Sequence, residues 1–225
     1  YDGLGRKLSC TYPSGRVVTN TYDALSQLKT TSASDSLVAS YDYIGRRVKH
    51  RLLDGNSSQN DYSYDDVKRI TGTKHSVSVV TIDERSYSYD AMYNKTQRKD
   101  KRGGGPLLTH DYTYDDLNRL EKTAVSGSLS RITNYSLDGV GNRTNVTGSP
   151  DAGLYDMNDT MPVPADSQMN QYTYTPFDDR TYDDNGNLNA SAASAASPPV
   201  PVLYEYDVHN QLVEVNDVGT GIVTT

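Results

Sequence analysis

The residues of this chain with the most chemical potential are four histidines, one cysteine, several adjacent aspartate pairs and a glycine run. His50, His75, His110 and His209 could serve acid–base or metal chemistry, but they fall at unrelated places with no metal-ligand spacing. They are read as solvent-facing strand or turn side chains. Cys10 is the only cysteine, so it cannot close an internal disulfide, and no base is placed beside it to make it a nucleophile. Asp65-Asp66, Asp115-Asp116, Asp178-Asp179 and Asp183-Asp184 raise calcium as an idea. Neighbouring strand residues point to opposite faces, however, and the run Asp183-Asp184-Asn185-Gly186-Asn187 lacks the glycine position and distal glutamate of an EF-hand loop. Gly103-Gly104-Gly105 has neither the phosphate-loop pattern nor a helix pattern behind it. No GxSxG or HExxH motif occurs. No catalytic, cofactor-binding or metal residue is therefore assigned, no cofactor is expected, and the chain is not expected to be an enzyme.

The composition says what kind of scaffold carries these residues. Among 225 residues there are 19 tyrosines against one phenylalanine, Phe177, and no tryptophan. Tyrosine must supply most of the aromatic packing, and its hydroxyl wants a partner, which suits thin sheets with ring edges near water or backbone. A mean hydropathy of −0.71 disfavours a greasy α/β core. The formal net charge of −7, with scattered Lys and Arg, argues against nucleic acid as a partner. No apolar run approaches a membrane span, and no signal peptide heads the chain. Tyr1 already lies inside a repeat and Thr225 ends abruptly, so a longer protein is expected, with any targeting signal elsewhere in it.

Self-comparison gives the organisation. Similar units start at Tyr1, Tyr22, Tyr41, Tyr64, Tyr89, Tyr114, Leu137, Tyr182 and Tyr206, at intervals of 21, 19, 23, 25, 25, 23, 45 and 24. The long interval hides a degenerate unit near 160–174, with Tyr172-Thr173-Tyr174 as its remnant. Tyr62 and Tyr64, Tyr87 and Tyr89, Tyr112 and Tyr114, and Tyr204 and Tyr206 stand two apart, which puts both rings of a pair on one face of a strand. Asp23, Asp65, Asp90, Asp115 and Asp207 follow and can accept a hydrogen bond from backbone two residues on, as Asx turns do. Gly5, Gly45, Gly141 and Gly186, or Asn94, Asn118 and Asn210, are expected in the left-handed conformation of the turn, with Ser26 and Lys68 as poorer fits to the same slot. Leu8, Leu28, Val48, Ile70, Leu120, Leu188 and Leu212 then restart a strand.

The expected fold class is all-β: tandem antiparallel hairpins stacked side by side into an extended ribbon, residues 1–225 being one array. Three stretches interrupt it. Gly103 to Pro106 reads as a flexible hairpin end, residues 148–170 with Pro150, Pro162 and Pro164 as an excursion in which Met157 and Met161 pack on a face, and residues 189–201 as a mobile low-complexity loop.

The spaced Tyr-Asp, the Gly-Arg or Asn-Arg turn and the apolar restart together resemble the RHS/YD-repeat family of bacterial secreted toxins, insecticidal toxin complexes and animal teneurins. The resemblance covers nearly the whole chain in nine near-copies. It implies a ribbon wound into a hollow spiral shell that often encloses a cargo polypeptide, here as part of a shell. The DPxG-type self-cleavage motif of bacterial members has no match, Asp138-Gly139 being only a turn, so self-cleavage is not assigned.

The function expected from this is a scaffold segment of a secreted or cell-surface protein, partnered by the rest of its own chain and an enclosed cargo. A carbohydrate-binding adhesion module, with exposed tyrosines stacking on glycans, is the runner-up, and a filament or sheath that self-associates through open ribbon edges is the third reading. Seven Asn-x-Ser/Thr triplets, at Asn56, Asn94, Asn134, Asn142, Asn145, Asn158 and Asn189, bear on glycosylation only if the source glycosylates.

Overall fold

A computed structural model describes residues 1–34, 36–160, 166–193 and 200–225. Met161, Pro162, Pro164 and residues 194–199 of the low-complexity stretch lie outside the described residues. Strands β1 (Ser9–Thr11), β2 (Val17–Tyr22), β3 (Leu28–Ala33), β4 (Ser36–Ile44), β5 (Arg47–Leu53), β6 (Ser58–Tyr64), β7 (Ile70–Val77), β8 (Val80–Tyr89), β9 (Lys95–Arg102), β10 (Leu108–Tyr114), β11 (Leu120–Ser126), β12 (Arg131–Leu137), β13 (Arg143–Thr147) and β14 (Gly153–Leu154) follow one another in sheet order. A second sheet runs β15 (Asp178–Tyr182), β16 (Leu188–Ala193), β17 (Pro201–Tyr206), β18 (Leu212–Asp217) and β19 (Ile222–Thr224). Every register given by the pairing is antiparallel between chain neighbours. Contacts group the chain into two units, Tyr1–Tyr112 with Val125–Ser130, and Thr113–Ala124 with Arg131–Thr225.

Side-chain alternation does what period two demands. In β8 the exposed residues Ile82, Glu84, Ser86 and Ser88 alternate with half-buried Asp83, Arg85, Tyr87 and Tyr89. The same pattern sets Tyr62 and Tyr64 on one face with Ser63 on the other, and Tyr204 and Tyr206 opposite Glu205. Among the described residues, the buried apolar side chains are Ala39, Val125 and Val146. Tyrosine rings, half-buried against their sheet neighbours, therefore carry burial that a layered protein would give to leucine and valine. The rings lie along the sheet they belong to, and their hydroxyls reach its backbone.

Three details refine the sequence reading. First, Tyr22, Tyr64, Tyr89, Tyr182 and Tyr206 pair with the residue six further on, each behind a register shift, whereas in the third repeat the residue in that place is Tyr43, facing Val48. Asp42 is a mid-strand residue paired with His50, and the turn is the two-residue Gly45-Arg46 between Ile44 and Arg47. The unit read from Tyr41 is thus displaced by one Tyr-x-Tyr step. Secondly, Asn170 is left-handed at φ 57°, so the degenerate unit turns there, and Tyr172-Thr173-Tyr174 follows the turn instead of leading into it. Thirdly, Asn189–Ala193 and Pro201 of the low-complexity stretch are strand residues of β16 and β17.

Candidate functional site

Among the described residues, the aspartate turn is a polar arrangement that recurs through both units. In eight of them the Asp N–H donates to the carbonyl four residues on, while the N–H of the third residue donates back to the Asp carbonyl, at 2.9 to 3.3 Å. This is a three-residue hairpin loop built on a β-turn and closed by a left-handed residue, which matches the twist of the flanking strands. That residue is Gly5, Ser26, Lys68, Tyr93, Asn118, Gly141, Gly186 or Asn210, with φ from 58° to 101°. Asn94 was expected in that slot; it is one residue late, and Tyr93 occupies the slot at φ 71°. Counting from Tyr89 gives Tyr93, and the chemical preference for Asn misdirects the assignment. Because Lys68 has a Cβ where the backbone favours none, Lys68→Gly is expected to stabilise the chain by about 0.5 to 1 kcal/mol in urea denaturation.

The carboxylate does more than an Asx turn requires. Its Oδ1 accepts from the backbone N–H two residues on, as in Leu4 to Asp2, Leu25 to Asp23 and Leu117 to Asp115, and also from the N–H four residues on, as in Arg6, Gln27, Arg69 and Arg119. Its Oδ2 takes the side chain of that fourth residue: Arg69 Nε to Asp65 at 2.6 Å, Arg119 Nε to Asp115 at 2.7 Å, Asn94 Nδ2 to Asp90 at 2.9 Å and Asn142 Nδ2 to Asp138 at 2.9 Å. Hydrogen bonds from the Arg6 and Arg119 backbone and side chains hold Asp2 and Asp115 below the usual carboxylate range, and the Asn142 and Asn187 side chains do the same for Asp138 and Asp183. At Asp65 and Asp90 burial pushes upward, but the combined hydrogen bonds from residues 69 and 94 and their neighbours outweigh it.

These depressed values fix a pH dependence. The unfolded carboxylates, near 3.9, bind protons before the folded ones do, so the stabilisation is complete above that value and is lost as pH falls through the lower folded values. Thermal melts followed by circular dichroism should give a flat melting temperature above about pH 5 and a steady fall below about pH 4. A melting temperature that rises on acidification would contradict the assignment.

The same residues tie several repeats to a neighbour within their unit. The Tyr hydroxyl donates to a main-chain carbonyl of the preceding repeat: Tyr22 to Lys7, Tyr43 to Leu28, Tyr64 to Val48, Tyr89 to Ile70 and Tyr182 to Tyr172, at 2.8 to 3.0 Å. Burial pushes the Tyr43 and Tyr89 phenols up, which keeps them protonated donors. In the other direction, Arg69 Nη1 donates to the Asp90 carbonyl and Arg119 Nη1 to the Asp138 carbonyl. Arg6 lies over the Tyr22 ring and Arg69 over the rings of both Tyr89 and Tyr93, at 4.8 to 5.0 Å. In the degenerate unit Gln171 donates to the Gly186 carbonyl as Gln27 does to that of Gly45, both at 2.8 Å, so it keeps the link although its tyrosine and aspartate are gone.

The sequence-level candidates for chemistry are dispersed. His50 meets Asp61 at 2.6 Å, His75 meets Asn60 at 3.1 Å, and His110 lies 3.1 Å from Asp100 and 3.0 Å from Arg98, while His209 sits in its own turn. Of the adjacent acids, Asp65, Asp115 and Asp183 cap turns and Asp178 pairs with Arg180, leaving Asp66, Asp116, Asp184 and Asp179 exposed. Cys10 is a partly exposed free thiol on β1. The fourth-residue clamp and the inter-repeat bonds escaped the sequence reading. The recurrence of Arg, Asn or Gln directly after the left-handed slot was the signal that could have shown them.

No family model matches the chain, and no curated protein matches it. Among solved structures it is similar to a crystal structure of TcdB2-TccC3-TEV, with a TM-score of 0.55 and 15% identity over 96% of this chain and 13% of that one. It is also similar to a structure of the Photorhabdus luminescens Tc holotoxin pore bearing a TccC3 mutation, with a TM-score of 0.53 and 14% identity over 96% of this chain and 13% of that one. At such identity the likeness is one of fold: an extended antiparallel β-sheet of consecutive hairpins. The chain spans only 13% of the length of these neighbours.

Proposed function

We propose that the chain is wall material, a scaffold segment of a larger secreted or cell-surface protein of the RHS/YD-repeat kind, in which the ribbon forms part of a β-shell around a cargo polypeptide. It acts without catalysis and without a cofactor. The observation that carries this reading is that the recurring Tyr hydroxyl, Asp carboxylate and Arg or Asn side chain are engaged within the sheet, where they fasten neighbouring repeats such as those at Tyr41, Tyr64 and Tyr89. Groups already satisfied inside a wall hold shape; they are not poised for a substrate. The fold likeness to the Tc toxin structures supports the same reading by analogy.

Electron cryomicroscopy of the full-length protein carrying this segment tests it. The expected result is a closed β-wall into which this ribbon runs, with an enclosed polypeptide on the side of the tyrosine face. An open array with that face turned to bulk solvent would overturn the shell reading, and a saturable hit on a glycan array would support adhesion instead.

A further inference from the structure

Mid-strand arginines on the tyrosine face of the first unit come with a carboxylate, and Arg51 is the exception. Register puts Arg51 opposite Tyr41 and Asn60, Arg98 opposite Tyr87, Arg85 opposite Asp100 and Arg102 opposite Asp83. Arg85 Nε lies 2.9 Å from Asp83, Arg98 Nε 3.0 Å from Asp100, and Arg102 Nε 3.5 Å from Asp83. The Arg51 side chain has no hydrogen bond or ion pair among the described residues, and its Nε is shut off from solvent. An N–H withdrawn from water without an acceptor costs free energy, so a sheet that keeps one is expected to have a use for it.

The strand positions around Arg51 explain the gap. Its neighbours on this face are Ala39, Tyr41 and Tyr43 on β4 and Ser58, Asn60 and Tyr62 on β6, none of them acidic. The first carboxylate along its row, past Asn60 and His75, is Asp83, which Arg85 and Arg102 already share. Three strand spacings, about 14 Å, separate it from Arg51. What the neighbours offer instead is donors. Asn60 Oδ1 accepts from His75 Nδ1 at 3.1 Å, which leaves the Asn60 amide N–H groups for another acceptor. The Tyr41 and Tyr62 hydroxyls, unlike those of Tyr43 and Tyr64, bind no carbonyl among the described residues.

We infer that Arg51 is a carboxylate site, filled by an aspartate or glutamate side chain of a polypeptide segment lying along the tyrosine face, with Tyr41, Asn60 and Tyr62 as neutral donors beside it. Charge selects the ligand. One guanidinium forks onto one carboxylate, the partner that Arg85, Arg98 and Arg102 already have, whereas a phosphate dianion would keep unmatched charge against a single cation. Openness selects a peptide. A strand position on one face of a sheet does not enclose a small acid, so affinity has to come from contacts that run on past the carboxylate, over the half-buried Tyr41 and Tyr43 rings. The inference rests on the reading of the chain as wall material whose tyrosine face meets a polypeptide, and it adds the chemistry by which that face grips one.

Nuclear magnetic resonance on the 225-residue chain tests it, read at the Arg51 Nε–H and at the backbone amides of residues 51 and 60. The probes are a capped pentapeptide with one central glutamate, the same peptide with glutamine, and sodium acetate, all at matched ionic strength. The glutamate peptide should give saturable shifts at these positions, half-saturating at least about threefold below acetate, and the glutamine peptide should give none. Arg51→Lys, which keeps the charge but not the fork, should weaken binding about tenfold. Arg46→Gln, in an exposed turn, should leave it unchanged. Thermal melts supply a second readout. Arg51→Met should hold or raise the melting temperature, because it removes an unmatched group, while Arg98→Met should lower it by stranding Asp100. Absence of a saturable shift, equal shifts with the glutamine peptide, or a melting temperature that falls as far in Arg51→Met as in Arg98→Met would each overturn the site. Acetate saturating as tightly as the glutamate peptide would overturn the peptide as its occupant. None of these results bears on whether the full-length protein closes into a shell, which electron cryomicroscopy decides separately.

Discussion

Replacing Gly148 with alanine should destabilise the chain by about 3 kcal/mol, whereas Gly5→Ala should cost about 1 kcal/mol. The two glycines share a φ of 74°, so the intrinsic penalty of the left-handed region is common to both. Their surroundings differ. A Cβ on Gly5 meets nothing within 4 Å, but one on Gly148 would lie 1.9 Å from the Ile132 carbonyl oxygen, a backbone atom that cannot swing aside. Relief requires β13 to move away from β12, which disturbs the pairing of Asn134 with Thr147 and the burial of Val146, 1% exposed. Urea denaturation of the two variants beside the wild type isolates the clash from the conformational cost. Equal losses at the two sites would show that the close approach does not exist.

The second large effect is expected at Tyr64. Its hydroxyl donates to the Val48 carbonyl at 2.8 Å, its ring lies 5.7 Å from the Arg47 guanidinium, and its backbone faces Ile70 behind a register shift. Tyr64→Phe keeps the ring and removes the donor, and should cost about 1 kcal/mol. Tyr64→Ala also gives up the ring's apolar contact with the preceding repeat and should cost about 2 to 3 kcal/mol. The difference between the variants measures what the half-buried ring contributes. Because repeats of this kind are stabilised by neighbours, the loss should spread to the hairpins on either side. A negligible effect of Tyr64→Ala would mean that the tyrosine row does not hold the sheet together.

How much of this was legible follows from which forces act locally. The Tyr62 and Tyr64 pair and the turn after Asp65 were readable, since strand period and turn chemistry depend on a few successive residues. Lys68 and Tyr93 show the limit: both adopt a left-handed conformation that their side chains disfavour, because the hydrogen bonds of the hairpin and the register behind them outweigh the local preference. The third repeat shows another. Tyr41-Asp42 copies the motif, yet the two-residue turn at Gly45-Arg46 sets the register, and Tyr43 takes the tyrosine's place while Asp42 is left in mid-strand. The bonds from Tyr64 to Val48 and from Arg69 to Asp90 join residues 16 and 21 apart, so they could not be read from any single repeat. Within the first unit they turn a recurring motif into a ladder.

Amide hydrogen exchange followed by mass spectrometry tests that ladder most directly. In the wild type, the turn amides of residues 65, 68 and 69 should exchange slowly for an exposed loop, because each donates a hydrogen bond at 2.8 to 3.0 Å. In Asp65→Ala, protection should fall in that turn and also in the Asp90 turn, which Arg69 holds through its guanidinium once Asp65 has fixed it. The Asp2 and Asp23 turns should be unchanged. Fast exchange in the wild-type turns, or a loss in Asp65→Ala that stops short of the Asp90 turn, would contradict the claim that the Tyr-Asp repeat exists to fasten one hairpin to the next.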